Sequence, residues 1–169
     1  QSGRLIMPGS LVYPYTDDPA GLTGWTVAGL EGLPAGYVDD SAGFHGACLD
    51  MQFETKYCEG SFFQTDDGVI HMMLRTDQPR LAVTESRDDG RTWSTPQWTG
   101  YVDGKSRHQF GRLPDGRCFG LSTPAPGRTP LVIAISDDGV TFDRHHIVGD
   151  DENRPPRFDG LHKGGRYGY

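Results

Sequence analysis

Apolar and polar positions alternate over short distances along this chain, and no stretch sustains the 3.6-residue apolar period of an amphipathic helix. Leu81–Ser86 alternates and breaks off at Arg87-Asp88-Asp89-Gly90, and Leu131–Ser136 breaks off at Asp137-Asp138-Gly139. Tyr57–Thr65 and Val69–Arg75 flank the turn signal Asp66-Asp67-Gly68, and His108–Leu113 and Arg117–Ser122 flank Pro114-Asp115-Gly116 in the same way. Runs of six to nine residues separated by Asp-Gly turns read as antiparallel strands joined by hairpins. Thr92–Gly100 and Phe142–Val148 follow as closing strands. The pattern predicts an all-β chain with two four-stranded units, at about residues 56–105 and 106–150. Upstream, about residues 3–55, Arg4–Tyr15 reads as one or two strands broken at Pro8-Gly9, and Ala47–Phe53 as another. Residues 16–45, rich in Asp, Gly and Pro, read as loops with short strands. The acidic Gly149–Pro156 connects to a further unit, about residues 157–169.

The two units repeat. Ser86-Arg87-Asp88-Asp89-Gly90-Arg91-Thr92-Trp93 returns in weaker form as Ile135-Ser136-Asp137-Asp138-Gly139-Val140-Thr141-Phe142, with Gly90 and Gly139 separated by 49 residues. Aligned on the glycines, both aspartates, the threonine and the terminal aromatic coincide, and Ile135 stands where the first copy has serine. Asp88 and Asp137 are expected to close their loops by accepting backbone N–H bonds. Asp-Gly supplies the positive φ of a tight hairpin. A hairpin recurring at this spacing predicts a β-propeller built of four-stranded blades.

Ser-x-Asp-x-Gly-x-Thr-Trp resembles the Asp-box of the sialidase superfamily, also called the BNR repeat. The resemblance implies a six-bladed propeller when complete and a structural role for the box on the outer rim. Six blades of ~45–50 residues exceed 169 residues. The chain therefore reads as a partial propeller of about three blades or part-blades, completed by further sequence or by another chain.

Charge and composition narrow the partners. The net charge of −7 leaves no basic stripe to neutralise phosphates and argues against nucleic acid. No run of 18 apolar residues is present to span a membrane. Cys48, Cys58 and Cys118 have no metal-ligand spacing and read as buried thiols, with a Cys48–Cys58 bridge as the alternative. No motif calls for a cofactor or a metal. Localisation is open, a secreted or periplasmic setting fitting the sugar chemistry below.

Polar residues in otherwise apolar inner strands are the candidates for chemistry. Glu59 opens the strand before Asp67-Gly68, Arg75 closes the strand after it, and Arg128 precedes the strand that runs into the second box. This order of glutamate, turn, arginine and second arginine also resembles the sialidases, as does Gly3-Arg4-Leu5-Ile6-Met7-Pro8. The resemblance implies that Arg75 and Arg128 bind a substrate carboxylate, for which the planar guanidinium fork is suited. It implies that Glu59 activates a tyrosine nucleophile, a neutral group that approaches an anionic sugar more easily than a carboxylate would. Tyr167 is the first choice for that tyrosine and Tyr169 the second. The family's first arginine and its aspartate acid/base have no counterpart here. The implied activity is exo-glycoside hydrolysis of a terminal acidic sugar on an oligosaccharide or glycoconjugate. The alternatives are a polysaccharide lyase using Tyr167, His71 or His108 as base on a uronate, and a non-catalytic carbohydrate-binding propeller. His145-His146 and Asp150-Asp151-Glu152 read as outer-side and solvated positions.

Overall fold

The computed structural model describes residues 2–8, 13–30, 57–150, 152 and 167. Ala47–Phe53, Cys48, Tyr169 and the unit beginning at Phe158 lie outside the described residues. Among the described residues all regular structure is β, arranged in three four-stranded sheets. Strands β1 (Leu5–Ile6), β2 (Tyr13–Thr16) and β3 (Thr26–Leu30) form an antiparallel meander. The middle sheet has the order β4 (Tyr57–Gln64), β5 (Ile70–Thr76), β6 (Arg80–Ser86) and β8 (Gln97–Val102). The third contains β9 (Gln109–Arg112), β10 (Cys118–Ser122), β11 (Leu131–Ser136) and β12 (Arg144–Gly149), also in chain order. The short β7 (Thr92–Trp93) leaves the first box and pairs in parallel with β3 of the preceding sheet.

Burial explains the pattern of each strand. The middle sheet is covered on both faces, so β5 is apolar almost throughout. Ile70, Met72 and Leu74 pack with Tyr13, Ala28, Ala82 and Trp93 on one side. Met73, offset by one residue, packs with Phe63, Leu81, Phe110 and Cys118 on the other. This is the two-residue alternation of a strand, with both faces apolar. The outer strands β8 and β12 are mostly exposed. Cys118 is a buried free thiol.

The boxes join neighbouring sheets. Trp93 stacks at a tilt on Tyr13, 4.7 Å between centroids. Phe142 meets Phe63, Tyr101 and Phe110 edge-on. Gly90 and Gly139 both have positive φ, and a Cβ on either would clash with the preceding sheet, at Ile6 and at Thr65 respectively. Glycine is thus required twice over at each turn. Arg4 is buried at the first box, where it pairs with Asp17 at 2.7 Å and donates to the Asp89 carbonyl at 2.8 Å. Its side chain therefore locks the first sheet to the box.

The hydrogen bonds correct the alignment of the second box. Ser86 Oγ donates to Asp88 and accepts the Gly90 N–H, and Ser136 Oγ does the same with Asp138 and Gly139. The serine expected to be missing is therefore Ser136, not Ile135, and the loop-closing aspartate is Asp138, not Asp137. The second turn is one residue shorter, and it is the serine and aspartate, rather than the glycine count, that define the equivalent positions. Asp89, with φ of 62°, is the extra residue of the first turn.

These carboxylates are held ionised by the backbone. Asp138 accepts the Thr141 and Val140 N–H groups and the Ser136 hydroxyl, which lowers its pKa to about 2. Its contribution to stability is full above the unfolded value near 3.8 and is lost as pH falls through about 2. Burial pushes the Asp88 carboxyl up, but donors from Thr92, Ser86 and Arg91 outweigh it and the net shift is downward. Replacing Asp88 by alanine strands the Arg91 and Thr92 amides. A loss of about 1–2 kcal/mol, seen as a melting temperature lower by roughly 3–6 °C, is expected. An unchanged melting temperature would show that the box carboxylate contributes nothing to holding the turn.

Candidate functional site

The strand directions separate two ends of the sheets. The boxes and the turns at Asp67-Gly68 and Asp115-Gly116 lie at one end. The start of β4, the end of β5, the loop 103–108 and the loop 123–130 lie at the other, the mouth. Inner strands β4 and β9 are neighbours, joined where Ser61 Oγ accepts the Phe110 N–H at 2.8 Å.

Glu59 and Arg75 meet at the mouth. In β4 the register moves from Cys58↔Arg75 to Ser61↔Met73, so Glu59-Gly60 carries one extra residue. Glu59 has φ of 46°, in the left-handed region. This β-bulge re-aims a side chain that regular alternation would direct elsewhere. The Glu59 carboxylate forms a charge-assisted hydrogen bond with Arg75 Nη1. Both side chains are partly exposed, 27% and 21%, so the pair remains open to a ligand. Burial opposes the Arg75 charge, but the bond and charge of Glu59 outweigh it and raise the guanidinium pKa.

Arg128 reaches the same end from the loop between β10 and β11. It is half-buried, has φ of 64°, and donates its N–H to the Ala125 carbonyl at 3.3 Å. Its charge and that of Arg75 both act on one carboxylate, that of Asp103. Asp103 is fully buried, and sequence reasoning missed it because Asp103-Gly104 reads as one more hairpin turn.

The other candidates stand in different surroundings. His108 is 4% exposed. Its Nε2 lies 3.1 Å from the Met73 carbonyl, which can only accept, so Nε2 carries a proton. Burial depresses its pKa. Nδ1 is buried without a hydrogen-bond partner among the described residues, so the ring serves as wall rather than as an exposed base. His71 stacks on Phe63 and pairs with Glu85 at 3.3 Å. It stands four residues before Arg75 on β5, about 13 Å towards the box end. The Tyr167 hydroxyl donates to the Asp150 carbonyl at 3.3 Å and packs against Gly149. That is the end of β12, the outer strand, three inter-strand steps or roughly 14 Å from β9.

A cleft of about 430 Å³ is walled by Pro8, Glu59, Phe62, Arg107, His108 and Gln109, and neither Arg75 nor Arg128 is among the described residues that line it. Another of about 440 Å³ lies between Tyr101, Val132, Val140 and Phe142 and has neither carboxylate nor guanidinium among the described residues of its walls. The first brings together the Glu59 carboxylate, the Arg107 guanidinium and the edge of Phe62. Among the described residues no group of His, Cys, Asp and Glu is arranged to hold a metal ion.

Comparison with known proteins gives the same scaffold. A solved Dyadobacter fermentans protein of unknown function superposes with a TM-score of 0.60 at 18% identity, covering 88% of this chain and 38% of its own. The NanB sialidase of Streptococcus pneumoniae superposes with a TM-score of 0.60 at 21% identity, covering 88% of this chain and 22% of its own. The leech intramolecular trans-sialidase does so with a TM-score of 0.59 at 21% identity, covering 87% and 22%. The chain thus spans well under half the length of these structures, and its sheets have the fold of sialidase propeller blades. No curated protein sequence matches it. The BNR repeat-like domain model matches residues 1–169, the whole sequence, and the chain belongs to that family.

Proposed function

We propose that this chain carries the carboxylate-binding and base half of a sialidase-like exo-glycosidase site that removes a terminal acidic sugar from an oligosaccharide or glycoconjugate. The observation that supports this best is the bulge-directed pairing of Glu59 with Arg75 at the mouth, with Arg128 drawn to the same end. Arg75 and Arg128 grip the sugar carboxylate through paired N–H donors. Glu59, released from part of its bond to Arg75 as the substrate enters, takes the proton of an attacking tyrosine hydroxyl. The tyrosine joins the anomeric carbon as the bond to the leaving sugar breaks, and water later releases the acidic sugar. The acid that protonates the leaving oxygen, and a third arginine, come from outside the 169 residues.

The decisive assay is release of the acidic sugar from 3'-sialyllactose by the full natural chain, the glycan used to prepare the leech enzyme's complex. Release of a reducing sugar without new ultraviolet absorbance is expected. An unsaturated, absorbing product from a uronate polymer would instead establish a lyase, and binding without turnover a carbohydrate-binding propeller.

In this reading the nucleophile is one of the two tyrosines of Arg166-Tyr167-Gly168-Tyr169, Tyr167 or Tyr169. The Tyr167 hydroxyl bond to Asp150 favours giving the role to Tyr169. Tyr169→Phe is then expected to lower kcat by about 10²-fold, while Tyr167→Phe changes it by less than about 3-fold. The reverse outcome returns the role to Tyr167.

A further inference from the structure

We propose that Arg107 is a specificity-determining residue whose guanidinium receives a second anionic group of the glycan, a carboxylate or a sulfate ester, in the cleft that Glu59 borders. This inference rests on the glycosidase reading above. The cleft lies where the first strands of all three sheets approach one another. Pro8 follows β1, Glu59 and Phe62 belong to β4, and Arg107 and His108 lead into β9 at Gln109. Each of these strands is an edge of its sheet, and the blades of a propeller are arranged around a central channel. The volume of about 430 Å³ is in the range of small-ligand sites, roughly 300–1,000 Å³.

The backbone that carries Arg107 is fixed by its neighbours. Along residues 107–110 burial alternates, with Arg107 and Gln109 exposed and His108 and Phe110 buried. His108 Nε2 lies 3.1 Å from the Met73 carbonyl and the Phe110 N–H donates to Ser61 Oγ at 2.8 Å, so both buried members are tied to the middle sheet. Their rings meet edge-on, 5.4 Å between centroids. Residues two apart on a strand share a face, which turns Arg107 and Gln109 away from that core and toward the cleft they line. The Gln109 amide donates to the Phe110 carbonyl at 3.1 Å. Arg107 is therefore the residue of the described wall that is cationic at every working pH. Glu59 pairs with Arg75, and neither Arg75 nor Arg128 is among the described lining residues. Glu59 thus touches the clamp on one hand and borders the cleft of Arg107 on the other. A glycan with its reacting carbon at Glu59 and its terminal carboxylate on Arg75 and Arg128 presents a neighbouring group to Arg107. A carboxylate or sulfate there accepts two parallel N–H bonds from the planar fork, and a neutral hydroxyl gains less. Because the backbone is already held, little ordering is required on binding.

The test compares the full natural chain with its Arg107→Gln variant on three glycans. These are 3'-sialyllactose with one acidic group, disialyllactose with a second carboxylate, and 3'-sialyllactose bearing a sulfate ester on its galactose. The wild type is expected to show a KM at least about 5-fold lower on one or both of the doubly anionic glycans than on 3'-sialyllactose, and Arg107→Gln to abolish that preference. A preference for disialyllactose alone makes the group a carboxylate, and one for the sulfated glycan alone makes it a sulfate. Arg107→Lys, which keeps the charge without the fork, should restore part of the preference. A wild type with no preference, or a preference that survives Arg107→Gln, overturns the proposal. If the wild type turns over none of the three, the glycosidase reading falls alone, and calorimetry with lactose 6'-sulfate and lactose decides the role of Arg107. The sulfated sugar is expected to bind the wild type at least about 10-fold more tightly than lactose, and the variant no more tightly than lactose. Equal or undetectable binding of the two sugars to the wild type overturns the proposal.

Discussion

Glu59→Gln is expected to lower kcat on 3'-sialyllactose by on the order of 10³-fold, with KM changing far less. The amide keeps an oxygen for Arg75 Nη1 and nearly the same volume, so the bulge and the cleft should survive. What it loses is the ability to take a proton. A phenol attacking without its base must expose a full proton or a full phenolate in the transition state, and general-base assistance typically contributes 10²–10⁴-fold. Steady-state rates on the purified variant, with an unchanged circular dichroism spectrum as control, decide it. A kcat within about 3-fold of wild type would remove Glu59 from the chemistry and leave it as the counter-charge of Arg75.

Arg75→Ala should act on a different parameter. It takes away one fork of the clamp and leaves the Glu59 carboxylate partly buried without its cation. Removing one partner of such a pair costs about 3–5 kcal/mol when burial is complete, and about a quarter of each side chain here is exposed. We therefore expect kcat/KM to fall by about 10²–10³-fold, carried mainly by KM, because the lost donors touch the substrate carboxylate in both ground and transition states. Arg75→Lys keeps a charge but not the planar fork, and should recover only part of the loss. A neutral glycoside lacking the carboxylate discriminates further: its turnover should be indifferent to Arg75. Equal losses on acidic and neutral substrates would mean that Arg75 supports the fold and not the ligand.

The strands were legible because each uses a local code. Leu131–Ser136 is bounded by turn residues on its box side and appears in the structure with the same limits. The Asp-Gly turns at 67–68 and 115–116 adopt the positive φ their glycines allow. The box misalignment shows where a local code fails. Spacing from the glycine put Ile135 opposite Ser86, while the hydrogen bonds put Ser136 there, because a one-residue deletion leaves the pattern almost intact and only geometry reveals it. The bulge at Glu59-Gly60 was invisible for a related reason. An extra residue in one strand is defined only by its partner across the ladder.

The sequence by itself determined the β architecture, the repeat and the family, since alternation, turn chemistry and motif order are properties of neighbouring residues, and from the same motif order it only proposed Glu59, Arg75 and Arg128 as the site. Tertiary structure alone decided that Glu59 turns onto Arg75, that Asp103 is buried, that His108 is a wall, and that Tyr167 rests on Asp150. Those are relations between residues tens of positions apart. They follow from strand register and from how one blade packs on the next, and no short-range pattern along a chain encodes either.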